Sequence, residues 1–443
     1  MGKLESQPHY QTTTSFPVKN IAKLILFSAI GIFMFFVPMT VGDTSSIPLD
    51  HVVTWLQKSL GPLVPWYALV IILPGALYPF ITGNWKKSRV DLIFSLFKIL
   101  GLVTAILLLT QTGPAWLFAP DIGPFLFEQL VIPVGILVPV GSIFLALLVG
   151  YGLLEFVGVL VRPIMRRVWK TPGRSAIDAV ASFVGSYSLG LLITNRLYKD
   201  GYYTAKEATI IATGFSTVSA TFMIVVAKTL GLMQYWNLYF WLTLIVTFLV
   251  TALTVHLPPI RTKSEAYFDG QGIPEPEVSQ QLFRTAWSEA LTAAHRAPSL
   301  GRNIWSNLKD GLVMTMAILP SILSVGLIGL LLAKFTPLFD WLGYLFLPFT
   351  WLVQLPEPLL AAKAAAVEIA EMFLPALVAA EAPLVTKFVI AIVSVSSILF
   401  FSASIPCILS TEIPVSIGEL VLIWLERTIL TLLIATPLVY LLL

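Results

Sequence analysis

The stretch of sequence that decides the fold is residues 173–222, GRSAIDAVASFVGSYSLGLLITNRLYKDGYYTAKEATIIATGFSTVSATF. Its first half, residues 174–198, is too polar for an ordinary membrane span and has Gly185 and Gly190 around two serines. We interpret this half as a helical hairpin that enters and leaves the membrane on the same side. The backbone groups at such a hairpin tip are tolerated in a membrane only where they line a cavity or bind a ligand. The stretch therefore predicts a binding site.

The composition of the whole chain places this stretch in a membrane protein. The chain has 443 residues, of which 57% are hydrophobic and 12% charged, and its mean hydropathy is +0.87. An average soluble domain has about 25% charged residues. So few charges exclude a soluble enzyme, a nucleic-acid-binding protein and a disordered scaffold. The apolar runs are long enough for membrane-spanning helices, so we predict an all-α polytopic membrane protein and not an outer-membrane barrel.

The hydrophobic runs predict about nine transmembrane helices in addition to two re-entrant helical hairpins. The hairpins are residues 174–198 and 358–380, which are weakly hydrophobic for their length. A polar segment separates the two halves of the chain, and its residues 279–306 have the pattern of an amphipathic helix on the membrane surface. The predicted spans lie at about 19–40, 63–83, 91–112, 131–161, 204–231, 235–256, 311–353 (interrupted by prolines), 383–409 and 415–442.

The positions of Lys and Arg indicate the orientation. If the N-terminus is cytoplasmic and each hairpin returns to its own side, 20 of the 27 Lys and Arg residues lie in cytoplasmic segments and 5 lie outside. Positive residues are enriched on the cytoplasmic side of membrane proteins. We therefore expect a multi-pass protein of a bacterial inner (plasma) membrane with a cytoplasmic N-terminus.

The chain contains an internal repeat. Each unit consists of a long helix, a short polar hairpin, a Ser/Thr-rich helix and a plain apolar helix. The first hairpin would enter from the cytoplasm and the second from outside, so the two units are inverted, which is typical of secondary transporters. The predicted domains are the N-terminal scaffold helices (1–130), the first repeat (131–256), a cytoplasmic amphipathic linker (257–310) and the second repeat (311–443).

Two stretches carry a resemblance to a known family. Residues 173–222 resemble the Gate, or nucleoside-recognition, domain, and residues 363–406, KAAAVEIAEMFLPALVAAEAPLVTKFVIAIVSVSSILFFSASIP, resemble a diverged second copy. The whole chain is similar to the YjiH-like membrane proteins that carry this domain, well over 142–256 and more loosely over 311–442. Gate segments also occur in concentrative nucleoside transporters, to which the chain is distantly similar. The resemblance implies a transporter core of two hairpins and two broken helices and leaves the substrate open.

Polar residues inside the predicted membrane core are the candidates for a substrate site. The first hairpin tip offers hydroxyls and free amides. The second offers Glu368 and Glu371, which are three residues apart on one helical face and suit a cationic or amino group. The alternative role for the small residues is close helix packing. The proposed substrate-binding residues are Gly185, Ser186, Ser188, Ser216, Thr217, Glu368, Glu371, Ser397 and Ser402.

The two Ser/Thr-rich helices are candidates for unwound segments whose carbonyls bind a coupling ion. The proposed coupling-ion residues are Asp178, Ser219, Ser396 and Ser404. Asp178 also lies four residues after Arg174, so an ion pair at the membrane edge is the alternative. Arg427 lies near the middle of the last span, where an unpaired charge is costly. We expect it to pair with Glu368, Glu371 or Glu155, with anion binding as the alternative.

These observations predict an ion-coupled secondary transporter that moves a small polar metabolite by alternating access. The substrate would be a nucleoside-like molecule, an amino acid or a short peptide, and the coupling ion would be Na⁺ or H⁺. The alternative is a non-transporting Gate-domain membrane component of a larger complex. The expected partners are the substrate, the lipid bilayer and, as an open question, further copies of the chain in a homo-oligomer. No nucleic acid is expected.

The sequence offers little for enzymatic chemistry. An intramembrane enzyme would need a proton-transfer set, for which Glu368, Glu371 and Asp178 are the candidates, so we expect that the protein is not an enzyme. A single cysteine, Cys407, and four scattered histidines predict no metal site. Apart from the coupling ion we expect no cofactor.

Overall fold

The computed structural model describes residues 18–41, 44–86, 89–120, 122–184, 187–270, 272, 281–409 and 411–443. The regular structure in these ranges is helical apart from a small antiparallel hairpin of β1 (Met39–Val41) and β2 (Thr44–Ser46). The helices are α1 (Val18–Phe36), α2 (Pro48–Leu60), α3 (Val64–Ile81), α4 (Arg89–Thr110), α5 (Ile132–Val149), α6 (Leu153–Ile164), α7 (Ser175–Val184), α8 (Tyr187–Lys199), α9 (Ala205–Gly214), α10 (Ala220–Thr229), α11 (Trp236–Thr254), α12 (Leu282–Arg296), α13 (Leu300–Phe335), α14 (Leu338–Gly343), α15 (Leu347–Leu352), α16 (Pro358–Val367), α17 (Leu374–Val378), α18 (Leu384–Ser396), α19 (Ser404–Leu409) and α20 (Ile417–Leu442).

The helix lengths agree with a multi-pass membrane protein. Six helical segments in the described ranges are long and apolar enough to cross a membrane: Val18–Phe36, Pro48–Ile81, Asp91–Thr110, Phe125–Leu148, Met233–Thr254 and Leu300–Leu332. Helix α20 has 26 residues, with two charged residues near its middle. Three shorter apolar helices, α10, α16 and α18, have 10 to 13 residues. At 1.5 Å per residue these cover about 15–20 Å, less than a bilayer core, so each needs a continuing segment.

The helix α13 is the spine on which the N-terminal helices pack. It has 36 residues and contacts α3, α4 and α5. A Cβ on Gly75 would lie 1.7 Å from the carbonyl oxygen of Met316, and a Cβ on Gly101 would lie 2.0 Å from that of Pro320. The backbones of α3 and α4 therefore approach α13 as closely as glycine allows, which is how membrane helices gain van der Waals contact.

The structure corrects the prediction of one long helix over 131–161. The chain forms α5 and α6 instead, with Gly152 between them at a φ of 103°. A side chain is strained at this φ, and a Cβ on Gly152 would lie 2.2 Å from the carbonyl oxygen of Ala290 in α12. The glycine therefore permits both the turn and the close approach of α12.

The amphipathic helix predicted over 279–306 is present in part as α12, whereas residues 300–306 belong to the start of α13. Its alanine face packs against α6 and α1. Arg162 of α6 forms a salt bridge of 2.9 Å with Glu289, and Asn20 of α1 hydrogen-bonds His295 over 3.1 Å. These polar contacts fix the linker helix to α6 of the first unit and to α1 of the N-terminal helices.

The sequence analysis did not predict helix α2. Its charged residue Asp50 accepts a hydrogen bond from Ser46 over 2.8 Å and forms a salt bridge with Lys228 at the end of α10. Pro48 stands in its first turn, where a missing N–H costs nothing. A mixed polar and apolar helix of 13 residues lacks the hydropathy signal on which the span predictions depend.

The two units have the same order of elements. The first contains α5 and α6, the hairpin α7–α8, the interrupted helix α9–α10, and α11. The second contains α13, the short helices α14 and α15, the hairpin α16–α17, the interrupted helix α18–α19, and α20. Both Ser/Thr-rich helices of the sequence analysis are thus interrupted where the hydroxyl clusters lie.

Candidate functional site

The two interrupted helices break in the same way. In the first, α9 ends at Gly214 and the amide of Thr217 donates to the carbonyl of Phe215 over 2.8 Å. In the second, α18 ends at Ser396 and the amide of Leu399 donates to the carbonyl of Ser397 over 2.8 Å. Each break therefore begins with the same tight turn two residues past the helix. Backbone groups released by such a break are available to a ligand or to neighbouring side chains.

The tip of the second hairpin is joined to the second break. The amides of Phe401 and Ser402 donate to the carbonyls of Ile369 and Ala370 over 2.7 and 3.0 Å. The hydroxyl of Ser402 also donates to the Glu371 carboxylate. Two predicted substrate-binding residues, Glu371 and Ser402, are thus in direct contact, although 31 residues separate them in sequence.

Glu368 is a buried carboxylate with half of its hydrogen-bonding capacity unused. The indole N–H of Trp424 donates to its Oε2, whereas Oε1 has no hydrogen-bond partner among the described residues. The residue has no exposed surface. An unsatisfied buried polar atom costs about 1–3 kcal/mol, more for a charged group, so a site that keeps one is a candidate for ligand binding.

Aromatic contacts connect the first unit to the second break and the second hairpin tip. Tyr187, the first residue of α8, packs edge-on against Phe400 in the second break, with ring centroids 6.1 Å apart. Phe222 of α10 packs in the same manner on Phe373 next to the second hairpin tip, at 6.3 Å. Gly185 and Ser186, predicted for the first tip, lie outside the described residues, and of Ser188 only the helical backbone is described.

The three candidate hydroxyls of the first break differ in their hydrogen bonding. The hydroxyl of Ser216 donates to the carbonyl of Ile211 over 3.4 Å, and that of Ser219 accepts from the amide of Phe222 over 3.3 Å, capping α10. The hydroxyl of Thr217 is buried without a partner in the described part of the chain. Of these three candidates, Thr217 is therefore the one with a free buried donor.

The predicted serines of the second break are used by the protein itself. Ser396 accepts at its hydroxyl from Thr431 over 2.9 Å, and Ser397 shares a hydrogen bond of 3.1 Å with Thr428. Ser404 accepts from the amide of Phe400 over 2.8 Å. These bonds stabilise the break and tie it to α20.

Asp178 of α7 and the first break lie near opposite ends of α9. Its Oδ2 accepts a hydrogen bond of 2.7 Å from the hydroxyl of Tyr203, which precedes α9. The helix α9 has 10 residues and is about 15 Å long. The structure therefore places Asp178 beside the start of α9, whereas Ser219 follows its end.

Removal of the Tyr203 hydroxyl is expected to destabilise the protein. Tyr203 and Asp178 are both buried, so Tyr203→Phe leaves a carboxyl oxygen without its donor and should cost about 2 kcal/mol. The matched control is Tyr202→Phe, which keeps the ring that stacks on the Arg174 guanidinium at 4.5 Å. Thermal unfolding of the purified variants measures both. Equal midpoints for the two variants would show that the Asp178 bond contributes nothing.

The structure corrects the predicted pairing of Arg427. The side chain is fully buried, but its hydrogen bonds do not go to the predicted partners Glu368, Glu371 or Glu155. The Nε and Nη2 atoms donate to the carbonyl of Ser396 over 3.0 and 2.7 Å, and Nη1 donates to the hydroxyl of Thr251 over 3.0 Å. The end of a broken helix satisfies a guanidinium because its carbonyls lack intrahelical donors.

Trp424 and Thr251 are residues of this region that the sequence analysis missed, whereas Tyr187 lies in the predicted first hairpin tip but was given no binding role. Trp424 had a usable signal, since it stands three residues before Arg427 and so shares its helical face. Thr251 had no such signal, because its partner Arg427 is 176 residues away in sequence.

Two surface cavities of about 590 and 440 Å³ lie away from this region. The first is lined by residues of α15 and α20, and the second by residues around 108–128.

The fold and the buried polar region define a multi-pass helical membrane protein with interrupted helices, and sequence comparison agrees. The Gate family, described as nucleoside recognition, matches residues 131–233, so the resemblance in the first unit is confirmed. Over 435 residues the chain is 31% identical to the uncharacterized protein BpOF4_10220 of Alkalihalophilus pseudofirmus, with 93% of each chain covered. The chain belongs to the same family as that protein.

Solved structures of CNTnw are similar to the chain. A structure in an inward-facing substrate-bound state has a TM-score of 0.45 at 13% identity and covers 95% of this chain and 93% of that one. A variant in an outward-facing state has a TM-score of 0.42 at 15% identity and covers 95% and 100%. Similarity at this level assigns no substrate and no ion.

Proposed function

We propose that this protein is an ion-coupled secondary transporter that moves a small polar metabolite across a bacterial inner membrane by alternating access. A nucleoside-like substrate is favoured by the Gate match over the first unit. An amino acid or a short peptide is the alternative substrate, because both are also small polar solutes. The observation that carries the proposal is the meeting of a hairpin tip, two helix breaks and a buried carboxylate with an unused oxygen. Soluble cores and simple membrane bundles have no need of such a region.

The proposed substrate site lies around the contact of the second hairpin with the second break. Glu371 and Glu368 supply acceptors for hydroxyl or amino groups, and Ser402 orients Glu371. The Tyr187 and Phe400 rings offer an apolar surface on which a base or another flat group would stack. The first hairpin tip, with Gly185, Ser186 and Ser188, would complete the site from the other unit, with Ser216 and Ser397 at its edges.

The proposed site for the coupling ion lies at the first break. Thr217, which the sequence analysis assigned to substrate binding, has a buried hydroxyl without a partner in the described part of the chain, and we reassign it to the ion site. It and the cap residue Ser219 lie where the break releases backbone carbonyls. Oxygen atoms of this kind bind Na⁺ in broken membrane helices. The other two predicted ion residues lie apart from this break: Asp178 is beside the start of α9 and Ser404 is in the second break.

The proposed orientation follows from the distribution of Lys and Arg, with a cytoplasmic N-terminus and the second unit inverted relative to the first. Residues 1–130 act as a scaffold, since α3 and α4 pack on α13 and leave the broken helices to the two units. Residues 131–256 and 311–443 are the two Gate-like repeats, and 257–310 is the cytoplasmic linker. Movement of the hairpins and interrupted helices, with α13 held against α3 and α4, would expose the site to either side.

Ligand binding by the purified chain is the test of this proposal. The panel contains nucleosides, nucleobases, amino acids and dipeptides, each in Na⁺ and in choline, with thermal unfolding as the readout. A ligand at 100 times its Kd stabilises the folded state by about 2.7 kcal/mol. We expect a nucleoside or a related solute to raise the midpoint in wild type and in the exposed control Glu381→Gln, but not in Glu371→Gln.

The outcomes of this test separate the two classes of function. A shift that requires Na⁺ supports the symporter and identifies the ion. A shift that is equal in Na⁺ and choline but changes with pH favours H⁺. No shift for any solute contradicts a transporter that acts alone, and copurification with a second membrane protein would then favour a Gate-domain component of a larger complex.

A further inference from the structure

A continuous chain of hydrogen bonds joins the two helix breaks. The carbonyls of Gly214 and Ser396 are those of the last helical residues before each break. The hydroxyl of Thr251 lies 2.8 Å from the first carbonyl and shares its single proton between that carbonyl and the carbonyl of Thr247, also at 2.8 Å. The Arg427 guanidinium donates twice to the second carbonyl. The Nη1 atom of Arg427 also donates to Thr251 Oγ1 over 3.0 Å. The guanidinium thus contacts the second break directly and is linked to the first break through Thr251.

A cation is the natural partner for such a carbonyl. The carbonyls at a helix C-terminus lack intrahelical donors and carry the negative end of the helix dipole. In broken membrane helices, soluble cations are bound by carbonyls of this kind. At the second break the cation is already present and covalently attached, because Arg427 stays charged and donates from a planar fork. The Ser396 carbonyl receives two of its N–H groups, at 3.0 and 2.7 Å.

We propose that Arg427 is a tethered cation that occupies the second break and, through Thr251, holds the two breaks in register. The Ser396 carbonyl, which the sequence analysis offered to a coupling ion, is therefore not available to a soluble cation. Arg427 is a positioning residue, since its hydrogen bonds go to the second break and to Thr251 and not to the proposed substrate-binding side chains. Its effect on transport depends on the proposed function, whereas its effect on stability does not.

Trp424 connects the part of α20 that carries Arg427 to the second hairpin. It stands one helical turn before Arg427 on the same face of α20, and its indole N–H donates to Oε2 of Glu368. Arg427 donates instead to Ser396 and Thr251. One turn of α20 therefore contacts both the second break and the second hairpin.

Substitutions at both ends of the Arg427–Thr251 bond test the proposal through thermal unfolding. Arg427→Met removes the charge and keeps an unbranched apolar stem. Arg427→Lys keeps the charge and loses the planar fork, and Arg427→Ala leaves space for added guanidinium ion. Thr251→Val removes the hydroxyl that joins the breaks. The matched control is Thr247→Val, because the hydroxyl of Thr247 is equally buried but donates only within α11, over 2.7 Å.

The expected stability order is wild type, then Arg427→Lys, then Arg427→Met. Guanidinium chloride, at concentrations too low to denature, should restore part of the midpoint of Arg427→Ala, and choline chloride at equal ionic strength should not. Thr251→Val should lower the midpoint by several degrees more than Thr247→Val. The double variant with Arg427→Met should lose less than the sum of the two single losses, because both remove one interaction.

Three results would overturn the proposal. They are an Arg427→Met protein as stable as wild type, equal midpoints for Thr251→Val and Thr247→Val, and an Arg427→Ala protein that responds to choline as it does to guanidinium. If Arg427→Ala does not fold, the Arg427→Met and threonine comparisons decide. These readouts need no substrate, so they remain valid if the proposed function fails.

A transport assay distinguishes a positioning role from substrate contact. Once a substrate is known, Arg427→Lys should lower kcat about tenfold with KM within about twofold of wild type. A raised KM with unchanged kcat would mean that Arg427 binds the substrate, which contradicts the tethered-cation role.

Discussion

Replacement of Glu371 by glutamine is expected to reduce substrate transport by about 100-fold while leaving the protein folded. Glu371 is 4% exposed and receives the Ser402 hydroxyl at the contact between the second hairpin tip and the second break. Glutamine keeps the size of the side chain but replaces a carboxylate acceptor by an amide. Loss of a hydrogen bond to a charged group costs about 1.5–3 kcal/mol, which corresponds to roughly 10- to 150-fold in binding or rate.

Uptake into proteoliposomes with a solute identified by thermal shift measures this effect. Ser402→Ala should show a smaller loss, about tenfold, because it removes the group that orients Glu371 and not the acceptor itself. Glu381→Gln, which changes an exposed carboxylate after the same hairpin, should transport normally. Normal transport by Glu371→Gln would move the substrate site away from this hairpin tip.

Replacement of Gly75 or Gly101 by valine is expected to prevent stable folding. Each glycine lies against the α13 backbone, with room for no Cβ: the nearest carbonyl oxygens would stand at 1.7 and 2.0 Å. Backbone atoms have no alternative rotamer, so α3 or α4 must move away from α13 and lose its packing. Overpacking typically costs about 1–3 kcal/mol, and more where the obstructing atoms are backbone, which leads to misassembly in a protein of marginal stability.

The matched control is Gly301→Val, since Gly301 lies in the first turn of α13 with nothing within 4 Å of an added Cβ. Size-exclusion chromatography of the detergent extract and thermal unfolding measure the result. We expect a monodisperse Gly301→Val protein and aggregated or absent Gly75→Val and Gly101→Val proteins. Monodisperse, wild-type-like Gly75→Val protein would show that the scaffold does not pack on α13 in this way.

The local features of the fold could be predicted because their signals are local. The weakly hydrophobic stretch around Gly190 became the hairpin α7–α8, and the hydroxyl cluster before Ser219 became a helix break. The division of the predicted 131–161 helix was missed, although Gly150 and Gly152 signalled it. In that case the long apolar run outweighed the glycines, and only the close approach of α12 shows why a glycine is needed.

The polar contacts of the candidate site were predicted only in part. Glu371 and Ser402 were both identified as polar residues in the membrane core, but their contact was not, and Trp424 was not identified at all. The partner of Arg427 was predicted wrongly, because opposite charge was the available criterion and a helix-end carbonyl was not considered. Hydrogen bonds have direction and short range, so they depend on which elements packing brings together.

The sequence by itself determined that this protein is helical, that it resides in a membrane and that two segments interrupt its spans, because hydropathy and helix-breaking residues act within a few residues of one another. Only the tertiary structure decided which polar groups come into contact around the two helix breaks. Arg427 reaches Thr251 across 176 residues and Ser396 across 31. Such contacts follow from the packing of whole helices, in which every buried donor must find an acceptor, and no local pattern in the chain encodes that choice.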